Sequence, residues 1–406
     1  MKLAIQMTMF HVKNYGSALQ AYALQQAVES VPGWRCEVLN IRPWTVNGVL
    51  SFDRRSPPPR RKSLSERLLR LALHAPSLFS EKVREWHDRR FVRGPLCRIF
   101  DDFVARELHL TARFENGTAL REAPPVADAY ITGSDQTLNP NFTGGDSIWF
   151  FDFLPPRGER AYRKLCYSSS FAVASLPERQ RQAYAKGLGD YDALSFREQS
   201  GVALAESLGL RGSVCCDPTL LLDRAQWAAF ACRSPRRPRG GYILCYNLRY
   251  MADPYPMAGA LERELARRLR LPVVHLDPLA PRRGTFGRVI RDATPSEFVD
   301  FFLNASFVMT SSFHGTAFAL QSGRPFMTYV VADRMADSRA ADLLVRCGAE
   351  CHMVTIDQTA KTLGDLSRFA PREEERERLE AFRSASRRWL MTALEPESDV
   401  CRKGDC

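Results

Sequence analysis

No stretch of this 406-residue sequence approaches the ~18 consecutive apolar residues that a membrane-spanning helix needs. The opening, Met1-Lys2-Leu3-Ala4-Ile5-Gln6-Met7, turns polar too soon for a secretory leader and reads as a first strand. CxxC pairs are missing, and no His stands at zinc-finger spacing from a Cys pair. The eleven Cys are an odd number without a leader, which argues for structural thiols such as Cys215-Cys216 over disulfides or a metal site. Walker A, GxGxxG, GxSxG and HExxH patterns are absent, so simple ATP, NAD and serine-hydrolase readings lose ground. Histidine is scarce, at seven. Lysine is rarer than arginine, 8 against 49, in a chain of net charge +11. Codon preference alone produces such a bias. The functional alternative is an anionic partner: a phosphorylated substrate, lipid head groups or nucleic acid. Nucleic acid is the weakest of these, because zinc-finger, RNA-recognition and helix-turn-helix signatures are missing.

What is present is a strand–turn–helix rhythm. The length favours two domains, since single cores stop growing near ~250–300 residues. Leu3 to Met9 is apolar, and a polar turn leads to an Ala/Leu/Gln-rich helix from Ala18 to Val31. Cys36 to Ile41 reads as a second strand, which gives a βαβ opening and a parallel sheet. Arg54 to Lys62 is a Pro-rich basic linker, and Ser63 to Phe103 has helical periodicity. Strands follow at Ala129–Thr132, Leu165–Phe171, Ala193–Glu198 and Val214–Thr219. A second unit holds strands at Tyr242–Tyr246, Val273–Leu276, Phe307–Thr310 and Pro325–Val330. A helix from Ala317 to Ser322 and a long one from Glu373 to Leu394 accompany them. The reading is an α/β chain of two Rossmann-like domains facing a cleft. Residues 1–225 form the first, with a helical basic insertion at about 51–110. Residues 240–370 form the second, and 371–406 a closing helix and tail.

Three clusters occupy strand ends, where open α/β sheets bind ligands. Asn14-Tyr15-Gly16-Ser17 offers a helix cap and a close backbone approach. Gly133-Ser134-Asp135-Gln136 offers a carboxylate that caps a helix or deprotonates a hydroxyl. Ser311-Ser312-Phe313-His314-Gly315-Thr316 puts one imidazole among hydroxyls, suited to phosphate and to proton transfer. Arg197 either reaches an anion or forms a surface pair with Glu198 worth ~0–1 kcal/mol.

Taken in order with Tyr167-Ser168-Ser169-Ser170-Phe171, Ser195-Phe196-Arg197-Glu198 and Asp217-Pro218-Thr219-Leu220, these clusters resemble the polysaccharide pyruvyl transferase family. The resemblance implies a GT-B-like fold and transfer of pyruvate from phosphoenolpyruvate onto a sugar as a cyclic ketal. It implies His314 as general acid and Asp135 as the group acting on the acceptor hydroxyl. Arg197, Ser311, Ser312, Gly315 and Thr316 become donor-binding residues. Asn14, Tyr15, Gly16, Ser17, Ser134 and Gln136 line the acceptor side or cleft. No cofactor is implied; phosphoenolpyruvate is a substrate. The partners implied are an anionic donor and a sugar acceptor, lipid-linked in one version, with no nucleic acid. One departure stands out: Ser312 occupies the position, two before the His, where family members with established pyruvyl transfer often carry Arg. Arg324, Arg334 and Arg339 are the nearby cations able to replace it.

Two further readings stay open. One is a GT-B-type glycosyltransferase with a nucleotide-sugar donor. The other is a non-enzymatic basic protein that binds anionic polymer or membrane through residues 54–93. The expected location is the cytoplasm, with peripheral contact at the inner membrane face if that basic stretch meets lipid.

Overall fold

The structure is a computed structural model and describes residues 1–41, 43–46, 49–52, 94–248, 257–277, 286–330, 339–355 and 363–395. The basic linker and most of the helical insertion, including the stretch 54–93, lie outside the described residues; only its last helix, Gly94–Glu107, lies within them.

The first sheet is built from β1 (Lys2–Met7), β2 (Trp34–Val38), β5 (Ala129–Thr132), β6 (Arg163–Ser169), β7 (Ala193–Phe196) and β8 (Ser213–Val214). A small antiparallel hairpin, β3 (Trp44–Val46) and β4 (Val49–Ser51), stands beside it. The second sheet holds β9 (Ile243–Tyr246), β10 (Val273–Leu276), β11 (Arg288–Ile290), β12 (Phe307–Thr310), β13 (Phe326–Val330) and β14 (Met353–Thr355). Strand order is β2-β1-β5-β6-β7-β8 in the first and β11-β10-β9-β12-β13-β14 in the second, with parallel pairing throughout both. The strands are short and almost wholly buried because helices cover both faces, so they read as apolar runs rather than alternating ones. In each sheet the order reverses at one place, between β1 and β5 and between β9 and β12. Those are the topological switch points at which doubly wound sheets leave a crevice.

Two helices begin earlier than the apolar pattern suggests. The first spans Tyr15–Glu29, not Ala18–Val31, because Asn14 caps it by accepting from Gly16 N at 2.8 Å. The helix after β12 spans Phe313–Ser322, not Ala317–Ser322, because the Ser312 hydroxyl accepts from Gly315 N. Val214–Thr219 is not one strand. β8 ends at Val214, and Asp217 caps a short helix, Pro218–Leu221, with Pro at its first position.

One core runs through both halves. Ala4, Ile131 and Leu165 of the first sheet belong to the same buried cluster as Leu244 and Val308 of the second. Tyr15 joins them: its ring stacks on Phe298 at 4.6 Å, and its hydroxyl donates to the Ala293 carbonyl at 2.7 Å. Phe298 sits on Pro295–Asn304, a helix opened by a capping box in which Thr294 and Glu297 exchange hydrogen bonds. The long helix Glu373–Leu394 returns to the first half. Its Ser386 hydroxyl accepts from Cys216 N at 2.9 Å, and Arg383 donates to the Leu220 carbonyl at 2.6 Å.

Truncating Phe298, which is fully buried, removes the stacking partner of Tyr15 and opens a cavity between the halves. Phe298→Ala is expected to cost about 3–5 kcal/mol in a urea titration, against about 1 kcal/mol for Tyr15→Phe, which loses only a hydrogen bond.

Candidate active site

The two switch points face each other across a pocket of about 290 Å³. The turn after β1 supplies Asn14 and Ser17, the turn after β5 supplies Asp135 and Gln136, and the turn after β12 supplies Ser311, Ser312 and His314. Met9, Val12, Leu50, Phe142 and Leu248 form an apolar rim, on which Val12 and Phe142 are 36% and 37% exposed. Lys13 and Arg339 also line the pocket.

Behind this wall lies a buried charge cluster. Asp217, fully buried, accepts at Oδ1 from the Thr219 N–H and hydroxyl, at 3.0 and 2.8 Å. At Oδ2 it accepts from Arg197 Nη1 and from the Ser134 hydroxyl, both at 3.0 Å. His314 Nε2 is 3.6 Å from the same oxygen. Burial opposes ionisation of Asp217, but the charges of His314 and Arg197 outweigh it and hold the carboxyl far below its ordinary range. Asp135 is buried too. It accepts from the Ser17 hydroxyl at 2.7 Å and lies 3.6 Å from Arg197 and 3.9 Å from Arg339. Despite its burial, the charges of Arg197, His314 and Arg339 keep its carboxyl below the usual range. The Asp135 backbone is left-handed, with φ of 71°, a conformation that costs a non-glycine residue about 1–3 kcal/mol and concentrates at functional sites. Glu198 accepts from the Ser170 hydroxyl at 2.6 Å, and its burial pushes its carboxyl upward.

His314 reaches this cluster from the second half. Its ring lies directly against Gly16: a Cβ there would stand 2.0 Å from Nδ1. Gly315, one residue on, packs under Thr310 and Tyr246 with a Cβ distance of 2.1 Å to the Thr310 hydroxyl. Glycine at 16 is what lets the helix start that carries His314 press against the first half, and glycine at 315 lets that helix sit close on its own sheet.

Several residues stand elsewhere than the sequence suggests. Arg197 is not at the surface: its side chain is 1% exposed, and it is held by Asp217 and by Glu198 at 3.8 Å behind the pocket wall. Phe313 covers it, with the guanidinium carbon 4.3 Å from the ring centre. Tyr15 is an inter-half packing residue, not part of the cleft. Gly16 and Ser134 serve as backing, and Thr316 is tied to the Ser312 carbonyl and sits 3.0 Å from the Thr328 hydroxyl. Asn14 both caps its helix and lines the pocket. Asp135 caps no helix; Asn139 caps the following one. Arg324 points away, donating to the Leu303 carbonyl, and Arg334 lies outside the described residues. In the sequence Asp217 stood only within the expected strand Val214–Thr219 and in the family-like segment Asp217-Pro218-Thr219-Leu220; its role as charge centre was not legible.

Two groups of ligand-type side chains lie apart from the pocket: Cys245, Glu262 and His275, and Cys351, His352 and Glu375. In the second, His352 contacts the Phe326 carbonyl with one nitrogen and Glu375 with the other, and Arg372 holds Glu375 and Cys351. That guanidinium opposes a second cation there. Among the described residues, no helix is long and apolar enough to cross a membrane.

Two six-stranded parallel sheets with a crevice at their facing switch points define a GT-B-like fold. The chain belongs to the polysaccharide pyruvyl transferase family, whose sequence profile matches residues 14–332. It is a transferase by family. A structure described as a UDP-N-acetylglucosamine 2-epimerase from Listeria monocytogenes superposes with a TM-score of 0.53 at 11% identity, covering 96% of this chain and 95% of that one. A UDP-GlcNAc 2-epimerase from Neisseria meningitidis bound to UDP-GlcNAc gives 0.46 at 8% identity, over 96% and 100%. Sucrose-phosphate synthase from Thermosynechococcus elongatus gives 0.43 at 11%, over 96% and 97%. No curated protein matches the chain significantly.

Two outcomes follow from this geometry. Gly16→Ala drives a methyl into the His314 ring, so we expect a shifted His314 imidazole resonance by NMR and a loss of about 1–3 kcal/mol from overpacking. His11, in the turn after β1, has both ring nitrogens buried without a hydrogen-bond partner among the described residues. Burial, aided by Lys13, lowers its pKa from 6.5 to about 4. The unfolded chain therefore takes up this proton first, and stability falls as pH drops from 6.5 towards 4. Melting curves of His11→Phe should be flatter than wild type across that window.

Proposed function

We propose that the chain transfers a pyruvyl group from phosphoenolpyruvate to two hydroxyls of a sugar in a cell-surface polysaccharide or glycan precursor, leaving a cyclic ketal and inorganic phosphate. The observation that carries this reading is the meeting, in one pocket, of His314 from the second half with Asp135 from the first, each within reach of a buried counter-charge.

The chemistry divides between them. His314 protonates the methylene carbon of the enol, which makes the neighbouring carbon electron-poor. The Asp217 carboxylate offers a counter-charge to the imidazolium that performs this step. A first sugar hydroxyl adds to the electron-poor carbon and yields its proton to Asp135, whose depressed pKa keeps it a carboxylate at neutral pH. Phosphate then leaves, and a second hydroxyl closes the ring as its proton departs with the phosphate. Of the two hydroxyl protons released, one replaces that placed on the methyl carbon and the other accompanies phosphate. Asp135 rests against Ser17, whose hydroxyl fixes its orientation at 2.7 Å. No cofactor enters the scheme.

The acceptor is a sugar by family, and a lipid-linked or nucleotide-linked sugar is the version proposed. The apolar rim of Val12 and Phe142 suits the C–H face of a sugar ring. Incubated with phosphoenolpyruvate and such acceptors, the protein should release phosphate only when both are present. His314→Ala should lower the rate about 10²–10⁴-fold, the range of a lost general acid. Thermal stabilisation by a nucleotide but not by phosphoenolpyruvate would favour the nucleotide-sugar glycosyltransferase instead.

A further inference from the structure

The two ring nitrogens of His314 have different surroundings. Nε2 lies behind the pocket wall: it is sealed from solvent, has no hydrogen-bond partner among the described residues, and stands 3.6 Å from Asp217 Oδ2. Nδ1 is on the edge of the ring turned to the start of the helix Tyr15–Glu29, where a Cβ on Gly16 would meet it at 2.0 Å. It is not among the sealed, unpartnered atoms. Asn14 and Ser17, on either side of Gly16, line the pocket together with His314. The ring nitrogen that reaches a molecule in the pocket is therefore Nδ1.

What faces Nε2 is a carboxylate that cannot turn away. The Thr219 N–H and hydroxyl hold Asp217 Oδ1, and Arg197 and the Ser134 hydroxyl hold Oδ2. An ionised carboxylate only accepts hydrogen bonds, so it favours a proton on Nε2 whether the ring is charged or neutral. The lone pair of the neutral ring then falls to Nδ1. The 3.6 Å separation is an ion-pair distance, and catalytic pairs of this kind tighten when substrate is bound.

We propose that His314 delivers its proton through Nδ1, and that Asp217 is the positioning residue that pins the opposite nitrogen. This inference rests on the pyruvyl-transfer reading, of which it names the reacting atom. In the step, the Nδ1–H bond breaks and a C–H bond forms at the methylene carbon of the enol. The N–H electron pair stays on Nδ1 and Nε2 keeps its proton, so the ring ends neutral with its hydrogen towards Asp217. Asp135 belongs to the same helix start, because Ser17 donates to it at 2.7 Å. The enol thus lies over Gly16 and Ser17, between the imidazole and the carboxylate that takes the hydroxyl proton. Glycine at 16 both admits the ring and leaves Nδ1 unscreened.

NMR on the full-length protein carrying isotope-labelled histidine tests this, with the His314 signals identified by their loss in His314→Gln. At alkaline pH, the long-range proton–nitrogen spectrum should show the His314 proton on Nε2. Saturating phosphoenolpyruvate should then move the Nδ1 resonance much further than that of Nε2. Asp217→Asn should weaken the preference for Nε2–H and lower kcat for phosphate release about 10²-fold with KM little changed. That variant alters a buried charge, so Ser134→Ala supplies a gentler arm. It removes a competing donor from Asp217 Oδ2, and the Nε2 proton should move downfield as its own hydrogen bond shortens. A neutral ring protonated at Nδ1 overturns the assignment, as does a phosphoenolpyruvate shift as large at Nε2 as at Nδ1. An Nε2 proton unmoved in Ser134→Ala overturns the pairing with Asp217. A protein that keeps the Nε2–H form and responds to Ser134→Ala, yet binds no phosphoenolpyruvate, overturns the pyruvyl-transfer reading and leaves that pairing standing.

Discussion

The arrangement depends on one buried carboxylate. Asp217 gathers the Thr219 backbone and hydroxyl on one oxygen, and Arg197, Ser134 and the approach of His314 on the other. Each donor comes from a different strand end: Ser134 after β5, Arg197 after β7, His314 after β12. An ionised group this deep is stable only when its lone pairs are answered, and here they are. Take it away and Arg197 is left buried beside Asp135 and Glu198 alone, a loss of the kind that costs about 3–5 kcal/mol. The carboxylate is at once a helix cap, the anchor of the guanidinium and the backing of the imidazole. Fold and chemistry share it.

The position of the pocket follows from topology before any side chain is considered. Each sheet changes winding direction once, and at that place adjacent loops diverge and leave a gap. Stacking two such sheets with their gaps opposed produces one shared chamber, supplied from both sides. Its floor is polar because helix starts and turn residues converge there. Its rim is apolar because Met9, Phe142 and Leu248 sit where core residues run out towards solvent.

Much of this was legible in the residue order. Short apolar runs closed by a polar turn gave strands such as Ala129–Thr132 and Phe307–Thr310 at their observed bounds. Glycine in Asn14-Tyr15-Gly16 and His314-Gly315 looked like turn material, yet both glycines lie inside first helical turns; the caps, Asn14 and Ser312, set those starts. The clusters at residues 14–17, 133–136 and 311–316 were found because strand ends announce themselves. What they touch was not, since Asp217 and His314 are distant in sequence and only packing brings them to 3.6 Å. The expected strand Val214–Thr219 ran through Asp217, and nothing local said that its carboxylate would be buried. Arg197 was read as an anion contact or a surface partner of Glu198 for a similar reason: a charged residue after a strand is usually solvated, and Asp135 and Asp217 from other strand ends, with the adjacent Glu198, overrule that habit here.

The helix Glu373–Leu394 packs against the first sheet, where Arg163 donates to its Ala393 carbonyl at 2.6 Å and Lys2 meets Glu395 at 2.8 Å. Strands made early in translation thus wait for a helix encoded more than 200 residues later before this face of theirs is covered. Until then Tyr167 lacks Trp389, and Cys216 N lacks its Ser386 acceptor. Until that helix docks, the first half presents an uncovered apolar face, the kind of transient exposure that favours aggregation over folding.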